Sequence, residues 1–331
     1  MKYSVATNWD ASLIPHLKKL NKKGKDKFFQ LFGSISYSIF GSARSVPLIQ
    51  DITVEEIDKF ISKTKKAKLD FNYLINSSVF PNLRKKEKYK QAIAYFSWIK
   101  NLNPDIITIG NEKTLKFINK NFPKFKINLS IVFAIKEPKK AERLFKQYKQ
   151  IKRITLHQSI NRDLTKLKQH IKIAHKYNVE VELLANEICL YKCPRMKEHY
   201  AYCGKCSQLG AKNIPKFDIT WCQKIRENNP IEFLNACWIR PEDVELYEKL
   251  GVDIIKIAGR GQKTPYLKKV TNSYMNRKSP RNVMELFYPV IWRKKMPYVD
   301  NKKLNDFIKY LWSKNLKKLT KMPFEYKITY K

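Results

Sequence analysis

RITLHQSINRDLTKLKQHIKIAHKYNVEVELLAN, residues 153–186, decides the fold. It opens on a short apolar strand, RITLHQ (153–158), runs through an amphipathic, lysine-rich helix (162–177) and closes on a second strand, VEVELLAN (179–186). That is a β–α–β unit, and its rhythm repeats along the chain. Further strands are expected at 2–8, 34–40, 69–76, 105–110, 126–134 and 253–259, separated by helices such as 53–67, 85–101 and 137–149. Eight strands in this rhythm predict an α/β fold, a TIM-like (β/α)8 barrel over residues 1–260. A long insertion, 187–250, follows strand seven. Residues 261–331 read as a basic, helical C-terminal extension packed on the barrel.

Side chains alternate faces along a strand. In 153–158, Ile154 and Leu156 face one way, Thr155 and His157 the other. In 179–186, Val181 and Leu183 oppose Glu182, Leu184 and Asn186. The uniformly apolar set belongs under the helices. Asn8, Asn72, Asn76, His157, Glu182, Asn186, Lys256 and Arg260 then point into the barrel. Barrel interiors are usually filled with branched apolar side chains, and polar ones are costly to bury unless paired or solvated. One reading is an internal network, such as Glu182 with Lys256. The other is a polar pocket at the C-terminal strand ends, where Asn8, Asn76, His157, Asn186 and Arg260 fall.

The 331 residues carry a net charge of +38. Such a charge attracts polyanions, RNA first among them, through counterion release. A lysine bias, as an A/T-rich genome produces, accounts for it equally, because the lysines are scattered through almost every helix. No apolar run is long enough to span a membrane, and MKYSVATNWDASL lacks the regions of a signal peptide. A cytoplasmic protein is expected, with a hetero- or homodimer as the candidate assembly.

All six cysteines lie between residues 189 and 237. Clustering of this kind in a long chain points to metal or redox chemistry rather than to a disulfide framework. A zinc ribbon of Cys189, Cys193, Cys203 and Cys206 is allowed by the spacing. A radical-SAM motif is excluded, since Met196 stands where its third cysteine is needed. A 4Fe-4S cluster with four dispersed thiolates is the remaining choice, and spacing alone leaves it balanced against zinc.

Four segments bear on that choice: SVATNWD (4–10), LLANEICLYKCPRMKEHY (183–200), WCQKI (221–225) and ACWIRPEDVELYEKLGVDIIKIAGR (236–260). With their N-E-x-C-x-x-x-C-P, W-I-x-P-E-D and G-x-D-x-x-K-I-x-G-R blocks, they resemble the collagenase-like peptidase family, number U-thirty-two among peptidases of unassigned catalytic type. The resemblance implies a TIM-like barrel and a 4Fe-4S cluster on Cys189, Cys193, Cys222 and Cys237. It also implies oxygen-independent hydroxylation of an RNA base or an aromatic metabolite, with prephenate as oxygen source. Two features depart from the family: Ile188 stands where glycine is common, and Cys203 and Cys206 look like additions, read as spare or accessory thiols.

Lys256 and Arg260 would suit an anionic donor such as prephenate. Arg44 can join that pocket or form a loop salt bridge. His157 is a candidate proton carrier, or simply hydrogen-bonded at a strand end. Glu187 is a candidate general base, or a residue that orients the ligand loop. Asn8, Asn76 and Asn186 complete the substrate-facing set. Two other functions stay open. One is a peptidase, although H-E-x-x-H and G-x-S-x-G are lacking. The other is a non-catalytic RNA-binding protein with a structural cluster or zinc.

Overall fold

Eight parallel strands close into a barrel in sequence order. The structure, a computed structural model, describes residues 1–44, 46–211, 218, 220–287, 296–316, 319 and 329–330. The strands are β1 (Lys2–Ala6), β2 (Lys27–Gly33), β3 (Asp70–Ile75), β4 (Ile106–Ile109), β5 (Ile127–Leu129), β6 (Ile151–Thr155), β7 (Glu180–Leu184) and β8 (Ile254–Ile257). β8 returns to β1, with Lys2 opposite Ile254 and Val5 opposite Ile257, so the sheet has no open edge. The expected TIM-like barrel is therefore met.

Helices α1 (Leu13–Leu20), α2 (Val54–Lys66), α3 (Lys86–Leu102), α4 (Glu112–Asn121), α5 (Pro138–Gln147) and α6 (Leu164–Lys176) follow the first six strands in turn. Their starts are written locally. Thr53 Oγ1 accepts the Glu56 N–H at 3.2 Å while Glu56 Oε2 accepts the Thr53 N–H at 2.9 Å, a reciprocal cap on α2. Asn111 and Asp163 cap α4 and α6 through their side-chain oxygens. After β7 come α7 (Met196–Leu209), α8 (Trp221–Asn228), α9 (Ile231–Asn235) and α10 (Val244–Lys249). α11 (Thr264–Met275) follows β8 and packs beside α1, completing the outer ring.

The second strand lies earlier than the sequence pattern places it. SISYSIF (34–40) alternates polar and apolar residues, yet it forms the loop after β2, with Tyr37 62% exposed. The strand is KFFQLFG, 27–33. Alternation marks a sheet with one wet face, whereas a parallel strand covered on both sides reads as a nearly continuous apolar run. The fifth strand is also shorter than 126–134. It stops at Leu129 because Ser130 Oγ accepts the Val132 N–H at 3.2 Å and starts a 3-10 turn.

A second, smaller core joins the insertion to the extension. Ile188, Phe233, Leu234 and Trp238 pack with Val283, Phe287, Phe307 and Leu311. The extension contributes α12 (Phe307–Ser313) and the antiparallel pair β9 (Pro297–Tyr298) and β10 (Thr329–Tyr330). Much of its basic run, 288–295, 317–318, 320–328 and 331, lies outside the described residues.

The barrel interior is polar and internally paired. Glu182 Oε2 accepts from Thr155 Oγ1 at 2.6 Å, Lys256 Nζ at 3.0 Å and Asn128 Nδ2 at 3.2 Å. Its other oxygen lies 3.8 Å from Arg153 Nη1, and Arg153 donates onward to Gln30 Oε1 at 2.7 Å. Burial alone would raise the Glu182 carboxyl; Lys256 and Arg153 outweigh it and hold it below the usual range. The internal network read from strand alternation is thus present, with the Glu182–Lys256 pair at its centre.

Candidate metal centre at the barrel mouth

α7 lies across the mouth of the barrel. At its start, Met196 Sδ sits 3.1 Å from His157 Nε2 and 3.8 Å from Gln158 Nε2, just beyond β6. At its end, Ser207 Oγ donates to the Ser36 carbonyl at 3.0 Å and accepts the Ser42 N–H at 3.0 Å, beyond β2. Gln208 Nε2 donates to Val79 O at 2.9 Å, beyond β3. β6 and β2 stand on opposite sides of an eight-strand ring. The 14 residues of α7 span about 21 Å at about 1.5 Å each. The seat is close-fitting: a Cβ on Gly204 would meet Ser77 Oγ at 2.4 Å.

Cys189, Cys193 and Cys222 gather at the edge of this roof. Cys189 and Cys193 each feel Cys222 and Arg226 electrostatically. Arg226 Nη2 lies 3.7 Å from Cys222 Sγ, and its Nη1 donates to the Ile188 carbonyl at 3.1 Å. Burial and the neighbouring Glu187 carboxylate push the Cys189 thiol well above its usual range, against Arg226 and Arg44. Burial also raises Cys193. Cys237 is buried as well. Burial pushes its thiol up to about 11, opposed by Arg162. Its carbonyl accepts from Asn161 Nδ2 at 2.8 Å.

These sulfurs suit a soft metal centre in chemistry. The donors are thiols, Arg226, Arg44 and Arg162 lie near them along with Glu187, and a bound metal reverses the pressure that keeps such thiols protonated. Among the described residues, no three His, Cys, Asp or Glu side chains already form a ready cage. Cys203 and Cys206 are buried within α7, one turn apart.

The other expected site residues are placed as follows. Arg44 Nη2 pairs with Glu187 Oε2 at 3.2 Å, joining the loop after β2 to the ligand loop. Arg260 Nη1 donates to Ser34 Oγ at 2.6 Å. Asn8 donates to Thr264 Oγ1 at 3.0 Å, and Asn76 accepts the Ala43 N–H at 3.2 Å. Asn186 bridges to Ala258, donating to its carbonyl at 3.0 Å and accepting its N–H at 2.7 Å. Lys256 is drawn inward to Glu182. His157 Nδ1 accepts the Ser159 N–H at 3.2 Å and lies 2.8 Å from Ser159 Oγ, which leaves Nε2 facing Met196. Burial, aided by Lys136, lowers its pKa to about 4, so the ring is neutral at pH 7.

No family model matches the chain. An uncharacterized protease of Methanocaldococcus jannaschii is 29% identical over 309 residues, covering 91% of this chain and 88% of that protein. A solved U32 peptidase matches with a TM-score of 0.53 at 14% identity, over 78% of this chain and 92% of its own. The chain thus resembles a U32 peptidase in fold and the Methanocaldococcus jannaschii protein in sequence. The structural match carries the barrel, and the sequence match runs through the cysteine block.

Several residues at the mouth carry no signal in the sequence. His199 and Tyr200 on α7 lie within electrostatic reach of Arg44, and Tyr200 also of Cys189, Glu187 and Cys203. Burial, with Arg44 and Arg195, lowers His199 to about 4. Arg226 and Arg162 are not singled out by any pattern in the sequence. Only the fold shows that they are buried beside sulfur.

Proposed function

We propose that this chain is an iron–sulfur protein that hydroxylates an RNA base or an aromatic metabolite without molecular oxygen. The observation that carries the reading is the grouping of Cys189, Cys193 and Cys222 around Arg226 at the barrel mouth. Cys237 would be the fourth ligand. A 4Fe-4S cluster held there supplies one-electron transfer; zinc on the same sulfurs would be structural.

The chain's own residues then do the binding. Arg44 and Arg260 present guanidinium groups at the strand ends, a match for a small dicarboxylate donor of the prephenate kind. Glu187 orients Arg44 and the ligand loop. His157 holds the start of α7 through Met196. α7 shields the mouth from bulk water, which favours chemistry on a reactive intermediate. Anaerobic purification with iron and sulfide analysis tests the reading, and a colourless protein holding zinc alone sinks it. Modified nucleosides compared between wild-type and deletion cells separate an RNA substrate from a small one.

The peptidase reading draws on the names of the two relatives. The contact that favours it is Ser159 Oγ at 2.8 Å from His157 Nδ1. Yet Ser159 is buried, and its own N–H donates to the same nitrogen, which suits a turn rather than an attacking nucleophile. Peptide cleavage that survives alanine at Cys189, Cys193, Cys222 and Cys237 would restore it. A non-catalytic RNA-binding role draws on the net charge of +38 and would show as steeply salt-dependent binding with every modified base still present.

A further inference from the structure

Among the described residues, two buried guanidinium groups near the cysteines make no salt bridge to a carboxylate. Arg162, ending the 3-10 turn after β6, is 2% exposed, and Arg226 on α8 is 3% exposed. Arg162 Nη1 donates to the Leu234 carbonyl, while its Nε and Nη2 are buried without a partner. Its plane faces the rings of Phe307 at 5.4 Å and Trp238 at 5.9 Å, whose π faces answer a cation only weakly. The nearby acid, Asp243, is engaged by Arg240 through two hydrogen bonds of 2.8 Å. What Arg162 does meet electrostatically is Cys237, with Tyr247, Asp243 and Tyr191 behind it. Arg226 meets Cys222 directly, and Cys189 and Cys193 by charge.

A buried ion without a counter-ion is costly, and replacing it by an apolar residue of similar volume is often stabilising. Here the chain keeps two such ions, each against a cysteine. We propose that Arg162 and Arg226 are the fixed counter-cations of a dianionic metal–thiolate centre that spans Cys189, Cys193, Cys222 and Cys237. Four thiolates around Zn2+, or around an oxidised 4Fe-4S core of charge 2+, carry two negative charges. Two guanidinium groups neutralise them. The inference rests on the metal reading above but not on the choice of metal. It adds one consequence for a cluster: an electron delivered by an external reductant leaves a third negative charge, and the two arginines ease its arrival.

The test compares R162M, R226M and the charge-keeping R162K with wild type, each purified anaerobically and each also stripped with a chelator. R162M and R226M are expected to lower the thermal midpoint of the loaded protein and to raise that of the stripped protein. Metal release to chelator should quicken by about tenfold or more. In an iron–sulfur protein, dithionite titration should place the reduction midpoint at more negative potential. R162K should stay near wild type. Midpoints that fall alike in both forms would make the arginines packing elements and overturn the inference, as would unchanged release. Wild type holding neither iron nor zinc defeats the metal reading and this inference together. A zinc-only protein defeats the hydroxylase and leaves the counter-cations standing.

Discussion

The barrel interior and the roofed mouth both bury charge, and they do so in opposite ways. In the interior, Glu182 is met by Lys256 and Arg153, and Arg153 reaches Glu180 Oε2 at 2.8 Å. Acids on β7 there meet bases on the neighbouring β6 and β8. At the mouth, Arg162 and Arg226 lie near sulfur and, among the described residues, form no salt bridge. A region balanced by its own residues belongs to the fold. Buried cations near sulfur are what the proposed metal centre would draw on.

The comparison can be broken most sharply at the sulfurs. Cys189→Ala or Cys222→Ala should abolish metal retention and with it the metal's whole contribution to stability, about 10 kcal/mol or more on the scale of zinc peptides. Metal analysis and thermal melting read this, and C206A should retain full metal content. Retention unchanged in C189A would end the assignment. Next in size is the interior. E182A leaves Lys256 buried and unanswered and should cost about 3–5 kcal/mol in urea unfolding, much of it recovered in E182L/K256M. A loss under about 1 kcal/mol would mean that water already reaches the pair.

The roof gives a smaller effect. G204A drives a methyl group into Ser77 and should cost about 1–3 kcal/mol. S77G/G204A removes the obstacle, so a double-mutant cycle should show the coupling. The smallest effect is in pH. His157 and His199 titrate near 4 in the fold, against about 6.5 unfolded. Between those values the unfolded chain binds more protons. Their contribution is therefore complete above about pH 6.5 and is lost as pH falls toward 4, by up to about 1.4 kcal/mol per pH unit for each histidine. Urea midpoints at pH 7, 5.5 and 4.5 check this, and H157Q should flatten the slope. Stability that rises on acidification contradicts the sign.

The barrel is legible in the sequence because its strands and helices carry different periods. Alternation even picks out Asn72, Glu182 and Lys256 as inward-facing. The same signal misplaces β2, since SISYSIF alternates without being a strand, while KFFQLFG is apolar on both faces. The cysteine cluster is equally plain. What cannot be read is distance across the fold. Nothing local says that Ser207 will meet Ser36, 171 positions earlier. Nor does an arginine in a helical pattern announce that it will be buried without an acid.

That separation bears on how the protein is made. Among the described residues, the carbonyls of Ser36 and Phe40 receive their side-chain partners from α7, Val79 gains Gln208 beside Ser77, and Ser42 waits 165 residues for Ser207. At synthesis rates of about 5–20 residues per second, the rim beyond β2 and β3 stands uncovered for roughly 10–30 seconds on the ribosome. Such a nascent chain presents an open rim, and the mouth closes only after Cys189 and Cys193 have been made.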